Sequence, residues 1–344
     1  VVSQDSVVSQ VMTESWDIGL DARFFDNRLS FTGDYYRKTT KDMLLELEIP
    51  KYVGYSNPSQ NAGRMYTEGY DLELSWNDRI DKVSYSVGVN FSDYISKMSD
   101  MKGRKEFIGS TAERINQDGS YFQEWYGYIA DGIFQTEEEL AGAPVLNSTT
   151  TVGDIRYKDI SGPDGTPDGI ISEYDRVCLG NSLPRYQFGG NIQVFWNGFD
   201  FNAAFQGVGS QNVRMTEAMT QPFKNNWGAI PGNLDGNYWS SLNTAEQNAE
   251  AYYPRLTYVN RNSNNAMSTY WIFNGRYFRM KNLTLGYTLP QELTRKAYID
   301  KLRFYVSAND LFCFHNYPTG YDPERTTSQY PLTKQVLFGL NINF

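Results

Sequence analysis

VLFGLNINF, residues Val336–Phe344, closes the chain, and its alternation decides how everything before it is read. Every second residue (Val336, Phe338, Leu340, Ile342, Phe344) is apolar, whereas Leu337, Gly339, Asn341 and Asn343 between them are mostly polar. Side chains alternate between the two faces of a strand, so the pattern predicts a strand with one dry and one wet face. A soluble fold gains little from ending on such a strand with an outward Phe. The weight of the observation depends on how many other segments share it.

Eight do. SWDIGLDARF sets Trp16, Ile18, Leu20, Ala22 and Phe24 against Asp17, Gly19, Asp21 and Arg23, and after FDNR the alternation resumes at Leu29, Phe31, Gly33 and Tyr35. GYDLELSW opposes Tyr70, Leu72, Leu74 and Trp76 to Asp71, Glu73 and Ser75, and past NDRIDK come Tyr85, Val87, Val89 and Phe91. RYQFGGNIQVFW turns at Asn197-Gly198, a two-residue hairpin signal, into Phe199, Phe201, Ala203 and Phe205. NLTLGYTL and KLRFYVSAN flank the connection PQELTRKAYID, and the closing segment makes nine predicted strands.

The connections alternate in length. Those near 26–28, 77–82, 197–198 and 290–300 are short; those near 38–67, 95–184, 209–276 and 310–333 are long. Long unstructured loops are uncommon in compact soluble domains, while short turns at one end and long loops at the other are the layout of an outer-membrane barrel. Periodicity alone also suits a soluble β-sandwich. The wet rows are dense in Asp, Glu, Arg and Gln, as a water-filled lumen requires, and aromatics recur at strand ends (Trp16, Trp76, Phe91, Trp196, Phe344), as in interfacial girdles. We therefore expect an all-β, antiparallel transmembrane barrel wall with long extracellular loops and short periplasmic turns. Nine is odd, whereas single-chain bacterial barrels have even strand counts and no open edge. Residues 1–344 are thus expected to be the C-terminal part of a barrel sealed by another segment or polypeptide.

Composition narrows the classes. A net charge of -9 excludes a nucleic-acid partner and a polybasic membrane anchor. No run of eighteen apolar residues exists, so no transmembrane helix is expected, and a negative mean hydropathy does not exclude a strand-built barrel. Val1 is not an initiator Met and no signal peptide precedes it, which predicts that processing or fragmentation has removed an N-terminal part. Cys178 and Cys313 form no C-x-x-C motif and are read as buried thiols in preference to a long-range disulfide.

At this point several stretches resemble one family. DIGLDARFFDNRLSFTGDYYRKTTKDMLL (17–45), YTEGYDLELSW (66–76), WYGYIADGIF (125–134), GDIRYKDI (153–160) with the DG and DR that follow, PRYQFGGNIQVFWNGFDFNAAFQG (184–207), RYFRMKNLTLGYTLP (276–290) and LRFYVSANDLF (302–312) resemble segments of the SusC/RagA-like TonB-dependent outer-membrane transporters, in order. The resemblance implies part of a large plugged barrel, of the roughly 22-stranded class. It further implies a SusD-like surface lipoprotein over the outer opening and energy from the TonB complex. In the family, the plug and TonB-contacting segment lie N-terminal to the region matched here. Phe344 resembles the terminal aromatic read by the barrel-assembly machinery, besides facing the lipid bilayer. The implied function is import of oligosaccharides or peptides across the bacterial outer membrane. A non-transporting adhesin or structural barrel, and an importer of a metal chelate or vitamin, remain alternatives.

Two groups of residues are candidate sites. DISGPDGTPDGIISEYD gathers Asp159, Ser161, Asp164, Asp168 and Asp175 among glycines, the ingredients of a calcium loop. It departs from the strict spacing at Ser161 and Pro163, and an Asp/Gly-rich turn without an ion is the plainer reading. Calcium is the one candidate cofactor. Trp125, Tyr126, Tyr128, Trp227, Tyr238, Trp239, Tyr252 and Tyr253 lie in the long loops, where aromatic faces could grip a polar organic cargo or simply pack the loops together. Catalysis is not expected: no G-x-S-x-G or phosphate loop is present, and His315 is the sole histidine.

Overall fold

Phe31 pairs with Ala22 on one side and Leu74 on the other, and from this register the whole wall follows. The computed structural model describes residues 10–46, 59–109, 112–215, 232–257, 261–318, 320–325 and 332–344. Nine strands form one antiparallel meander in chain order. They are β1 (Met12–Phe24), β2 (Leu29–Lys41), β3 (Arg64–Ile80), β4 (Val83–Ser99), β5 (Arg185–Trp196), β6 (Phe199–Ser210), β7 (Tyr277–Thr288), β8 (Lys301–His315) and β9 (Gln335–Asn343). Among the described residues neither β1 nor β9 has a second partner strand, so the sheet does not close on itself.

Register carries the dry and wet faces across the sheet without a break. One row runs Leu20, Gly33, Leu72, Phe91, Phe188, Gly207, Phe278, Phe314. The next runs Asp21, Thr32, Glu73, Asn90, Gly189, Gln206, Arg279, Cys313. A one-residue slip anywhere would mix the two, so the pattern and the pairing specify each other. The apolar row faces outward: Leu20 is 60% exposed, Leu72 39% and Phe314 68%. Contiguous apolar area of this extent is uncommon on a monomeric soluble surface and suits contact with lipid. At the short-turn end Trp196, Phe199 and Tyr287 pack ring against ring, with centroids 6.1 and 4.5 Å apart. No helix among the described residues is long and apolar enough to cross a membrane, which says nothing of crossing by strands.

Two features were not visible in the alternation. β3 and β4 are 17 residues each, joined only by Asp81-Lys82; at the outer end β1 to β4 finish level, with Met12 opposite Lys41, Thr40 opposite Met65 and Arg64 opposite Ser99, while the pairing of β4 with β5 stops at Ser92–Gln187. A bulge also shifts β7 against both neighbours around Lys281, with Asp310 opposite in the left-handed region at φ 50°. Bulges re-aim side chains. Lys281 shares the wet side with Arg279 two residues before it, and the bulge keeps the next residue, Asn282, on that side as well, bonded to Ser307 and Asn309.

The apolar core lies chiefly outside the sheet. The excursions between β4 and β5 and between β6 and β7, expected as long loops, fold into a cap. The first contains a four-stranded sheet (Glu106–Ile108, Arg114–Asn116, Glu124–Gly127, Val177–Cys178) and a hairpin of Ala130–Ile133 with Ile155–Tyr157. Ile155, Tyr157 and Ile171 from the first excursion and Met215, Leu234, Tyr253 and Trp271 from the second form one buried cluster. A smaller cluster of Leu45, Ala62, Met98 and Met101 seats the β2–β3 connection on the outer end of β4. Both cysteines are free thiols, Cys313 half-buried and Cys178 exposed.

Candidate functional site

The cap is organised by buried polar groups as much as by its apolar cluster. Asp154 is fully buried; its Oδ1 accepts from Arg255 Nε at 2.6 Å and Asn264 Nδ2 at 2.8 Å, and its Oδ2 from Thr151 N at 2.9 Å. This carboxylate therefore ties the two excursions together. Trp125 does the same, donating from Nε1 to Asn212 O at 2.6 Å while Arg114 lies over its ring at 5.7 Å.

Most of the candidate aromatics are used in this packing. Tyr126 is buried beneath the Arg176 guanidinium at 4.7 Å. Tyr128 lies against Tyr157 at 5.3 Å, and Tyr238 borders the buried cluster. Trp239 covers Gly153, which sits at φ 89° where a side chain would be strained, and donates from Nε1 to Gln135 Oε1 at 3.2 Å. Trp227 lies outside the described residues. Tyr252 and Tyr253 differ from the rest. They line an open cleft of about 830 Å³ together with Asn233, Asp235, Phe273 and Asn316. Tyr253 is buried and accepts from Asn233 Nδ2 at 2.7 Å, and burial, then the neighbouring Tyr252 and Tyr321, push its phenol up to about 12. Tyr252 is 40% exposed, stacked on Tyr270 at 5.5 Å, with its hydroxyl donating to Tyr270 O at 3.0 Å. The cleft thus offers a fixed ring face, amides and one carboxylate. That mixture suits a cargo rich in hydroxyl or amide groups. Asn233, Asp235, Phe273 and Asn316 carry no signal in the sequence, since nothing in a lone Asn marks it as lining a cleft.

The Asp/Gly loop behaves differently from a calcium loop. Both Asp175 oxygens are engaged by backbone amides: Oδ1 by Ile160 N at 2.8 Å and Ser161 N at 3.1 Å, Oδ2 by Ser172 N at 2.7 Å. Asp159 Oδ2 accepts from Gly169 N at 2.5 Å, and Asp168 Oδ1 from Ile170 N at 3.0 Å. Asp159 Oδ1 is buried without a partner, one oxygen where calcium takes six to eight. Among the described residues no three of His, Cys, Asp and Glu are grouped so as to hold a metal ion. Asp159, Ser161, Asp164, Asp168 and Asp175 stand in a turn held by its own amides.

On the wet face of the wall, a hollow of about 750 Å³ is lined by Asp34, Asp71, Glu73, Asn90 and Gln187. Nearer the cap, Arg279 is almost completely buried among Asp310, Asp322 and Glu324, with Lys281 beside it.

Comparison with known proteins gives this wall and cap a class. The TonB-dependent receptor P3 of Formosa agariphila is 29% identical over 355 residues, covering 95% of this chain and 34% of the receptor. The TonB-dependent receptor SusC of Bacteroides thetaiotaomicron is 23% identical over 351 residues, 96% of this chain and 32% of SusC. The solved RagAB peptide transporter superposes with a TM-score of 0.70 at 23% identity, over 96% of this chain and 35% of that one. No family model matches. The fold is that of part of the barrel of a TonB-dependent transporter. The resemblance to SusC/RagA-like TonB-dependent receptors holds over almost the whole chain, which spans about a third of the length of the curated relatives it matches.

Proposed function

We propose that this chain is part of an outer-membrane TonB-dependent importer in which the cap captures cargo and the wet face of the wall conducts it. The observation that carries the reading is a sheet of nine strands paired in chain order, one face apolar and the other wet, beneath a cap that holds an open cleft. The cargo is an oligosaccharide or a peptide, matching the ring faces and amides around Tyr252, Asn233 and Asn316. The structural likeness to a protein named a peptide transporter supports the second of these. A SusD-like surface lipoprotein covers the outer opening, and the TonB complex acts through the remainder of the receptor. No bond of the cargo is changed.

The test is made on the intact receptor in its own outer membrane. Cells carrying Tyr252→Ala are compared with the parent for growth on glycans, on peptides and on iron chelates, and receptor purified in parallel is probed for a co-purifying lipoprotein. Loss of growth on one polymer class, with normal receptor levels, is the expected result. Normal growth on all three, or a defect on iron chelates alone, rejects the reading.

A further inference from the structure

The described residues that follow β8, 316–318 and 320–325, touch both the cleft and the wall below it. Asn316 and Pro318 line the cleft. Tyr317 between them is buried edge-on against Phe273, another cleft residue, at 4.6 Å. Tyr321 packs on the buried cluster of the cap. One residue later the chain turns inward. Asp322 Oδ1 accepts from Glu324 N at 2.9 Å, a tight turn that presents both carboxylates to the wall.

The wall receives them with two cations. Arg279 Nη2 lies 2.6 Å from Asp322 Oδ2, and Arg279 Nε lies 3.0 Å from Glu324 Oε1. Lys281 Nζ lies 3.1 Å from Glu324 Oε2, and Gln206 Nε2 donates to Glu324 Oε1 at 2.8 Å. The wall contributes Arg279, Lys281 and Asp310 to the cluster, a surplus of one positive charge, and the strap brings two carboxylates to it. The Arg279 side chain is only 3% exposed with the strap seated, and lifting the strap would take away two of its three carboxylates. Arg279 and Lys281, two residues apart on β7, share a side by the ordinary alternation of a strand.

We propose that these residues form a strap that is both the floor of the cleft and an ion-paired latch on the wet wall, so that filling the cleft and releasing the bore are coupled through it. Arg279 and Lys281 act as positioning residues for capture although they lie beneath the cleft. This rests on the cleft being the capture site. The coupling is reciprocal: a seated strap completes the cleft, and cargo in the cleft holds the strap seated.

Cys313, register partner of Arg279 on the wet row, reports the latch. In the intact receptor, alkylation of Cys313 by a water-soluble maleimide is followed by site-resolved mass spectrometry, beside retention of a tryptic casein digest and of mixed malto-oligosaccharides. The isosteric pair Asp322→Asn/Glu324→Gln is expected to speed Cys313 labelling and weaken retention, each by roughly fivefold or more, the lower end of ordinary coupling. Tyr252→Ala should weaken retention and leave Cys313 labelling unchanged. Unchanged labelling in the double variant, or faster labelling with unaltered retention, overturns the strap. Retention unaffected by Tyr252→Ala overturns the capture site instead, so the two failures are separate.

Discussion

Arg303 and Asp200 grip each other across the strand that separates them, Nε to Oδ1 at 2.8 Å and Nη2 to Oδ2 at 2.6 Å, directly over Gly286. A Cβ at Gly286 would lie 2.5 Å from Asp200 Oδ1 and 2.6 Å from Arg303 Nε. The glycine is therefore required by the ion pair above it and by no turn. Gly286→Ala is expected to force the fork apart and cost about 1–3 kcal/mol, the usual range for overfilling a packed site. The heat needed to unfold the detergent-solubilised receptor, read by gel mobility, checks it. Unshifted mobility would mean that the fork bends aside freely.

Asp154 should be the most sensitive position in the cap. It is fully buried and accepts from Arg255, Asn264 and Thr151 together. Asp154→Ala strands the Arg255 guanidinium and is expected to cost about 3–5 kcal/mol. Limited proteolysis would then cut between β4 and β5 and between β6 and β7 while the wall stays protected. A cap as protease-resistant as the parent would contradict the assignment.

Acid should loosen the Asp159–Asp175 loop. Burial pushes the Asp175 carboxyl up, but the amides of Ser172, Ile160 and Ser161 outweigh it and hold the group below its ordinary range. A depressed folded value means that the contribution is complete above the unfolded value near about 4 and is lost as pH falls through the folded one. Hydrogen exchange of this loop should rise below about pH 4, and Asp175→Asn should show the faster exchange already at neutral pH. Equal exchange in parent and variant at pH 7 would show that the carboxylate does not organise the loop.

Cys178 should be a sluggish nucleophile. Although the residue is exposed at the surface, its sulfur is partly shielded from water and faces Glu124, which together push the thiol up to about 11, and Gln117 Nε2 donates to Sγ at 3.5 Å. Since the thiolate is the reactive form, alkylation at pH 8 should run well below that of a free cysteine in the same buffer. Glu124→Gln should speed it. Labelling of Cys178 at the free-thiol rate would contradict the environment described.

All nine wall strands were legible from period-two alternation, because lipid on one side and water on the other impose it at every position. Residues such as Leu72 and Glu73 announce their faces alone. Alternation tells a side, not a neighbour, so nothing in it pairs Asp154 with Arg255 or Asp322 with Arg279, groups 101 and 43 residues apart. The bulge at Lys281 was hidden for a related reason: one extra residue looks like a small lapse in an otherwise regular strand. The candidate aromatics show the same limit. Composition placed Trp239 and Tyr252 in long loops, but only contacts separate a ring that covers Gly153 from one that lines a cleft.

The buried cluster that unites the two excursions has a consequence for how the molecule would come apart. Ile155 and Trp271 lie in one cluster although β5 and β6 intervene between their segments, so each excursion is clasped at its roots by the ladder and at its tip by the other. A single nick in either one would yield two bands on a denaturing gel yet one intact particle in detergent. Severance of the backbone and dissociation of the pieces would then be separate events.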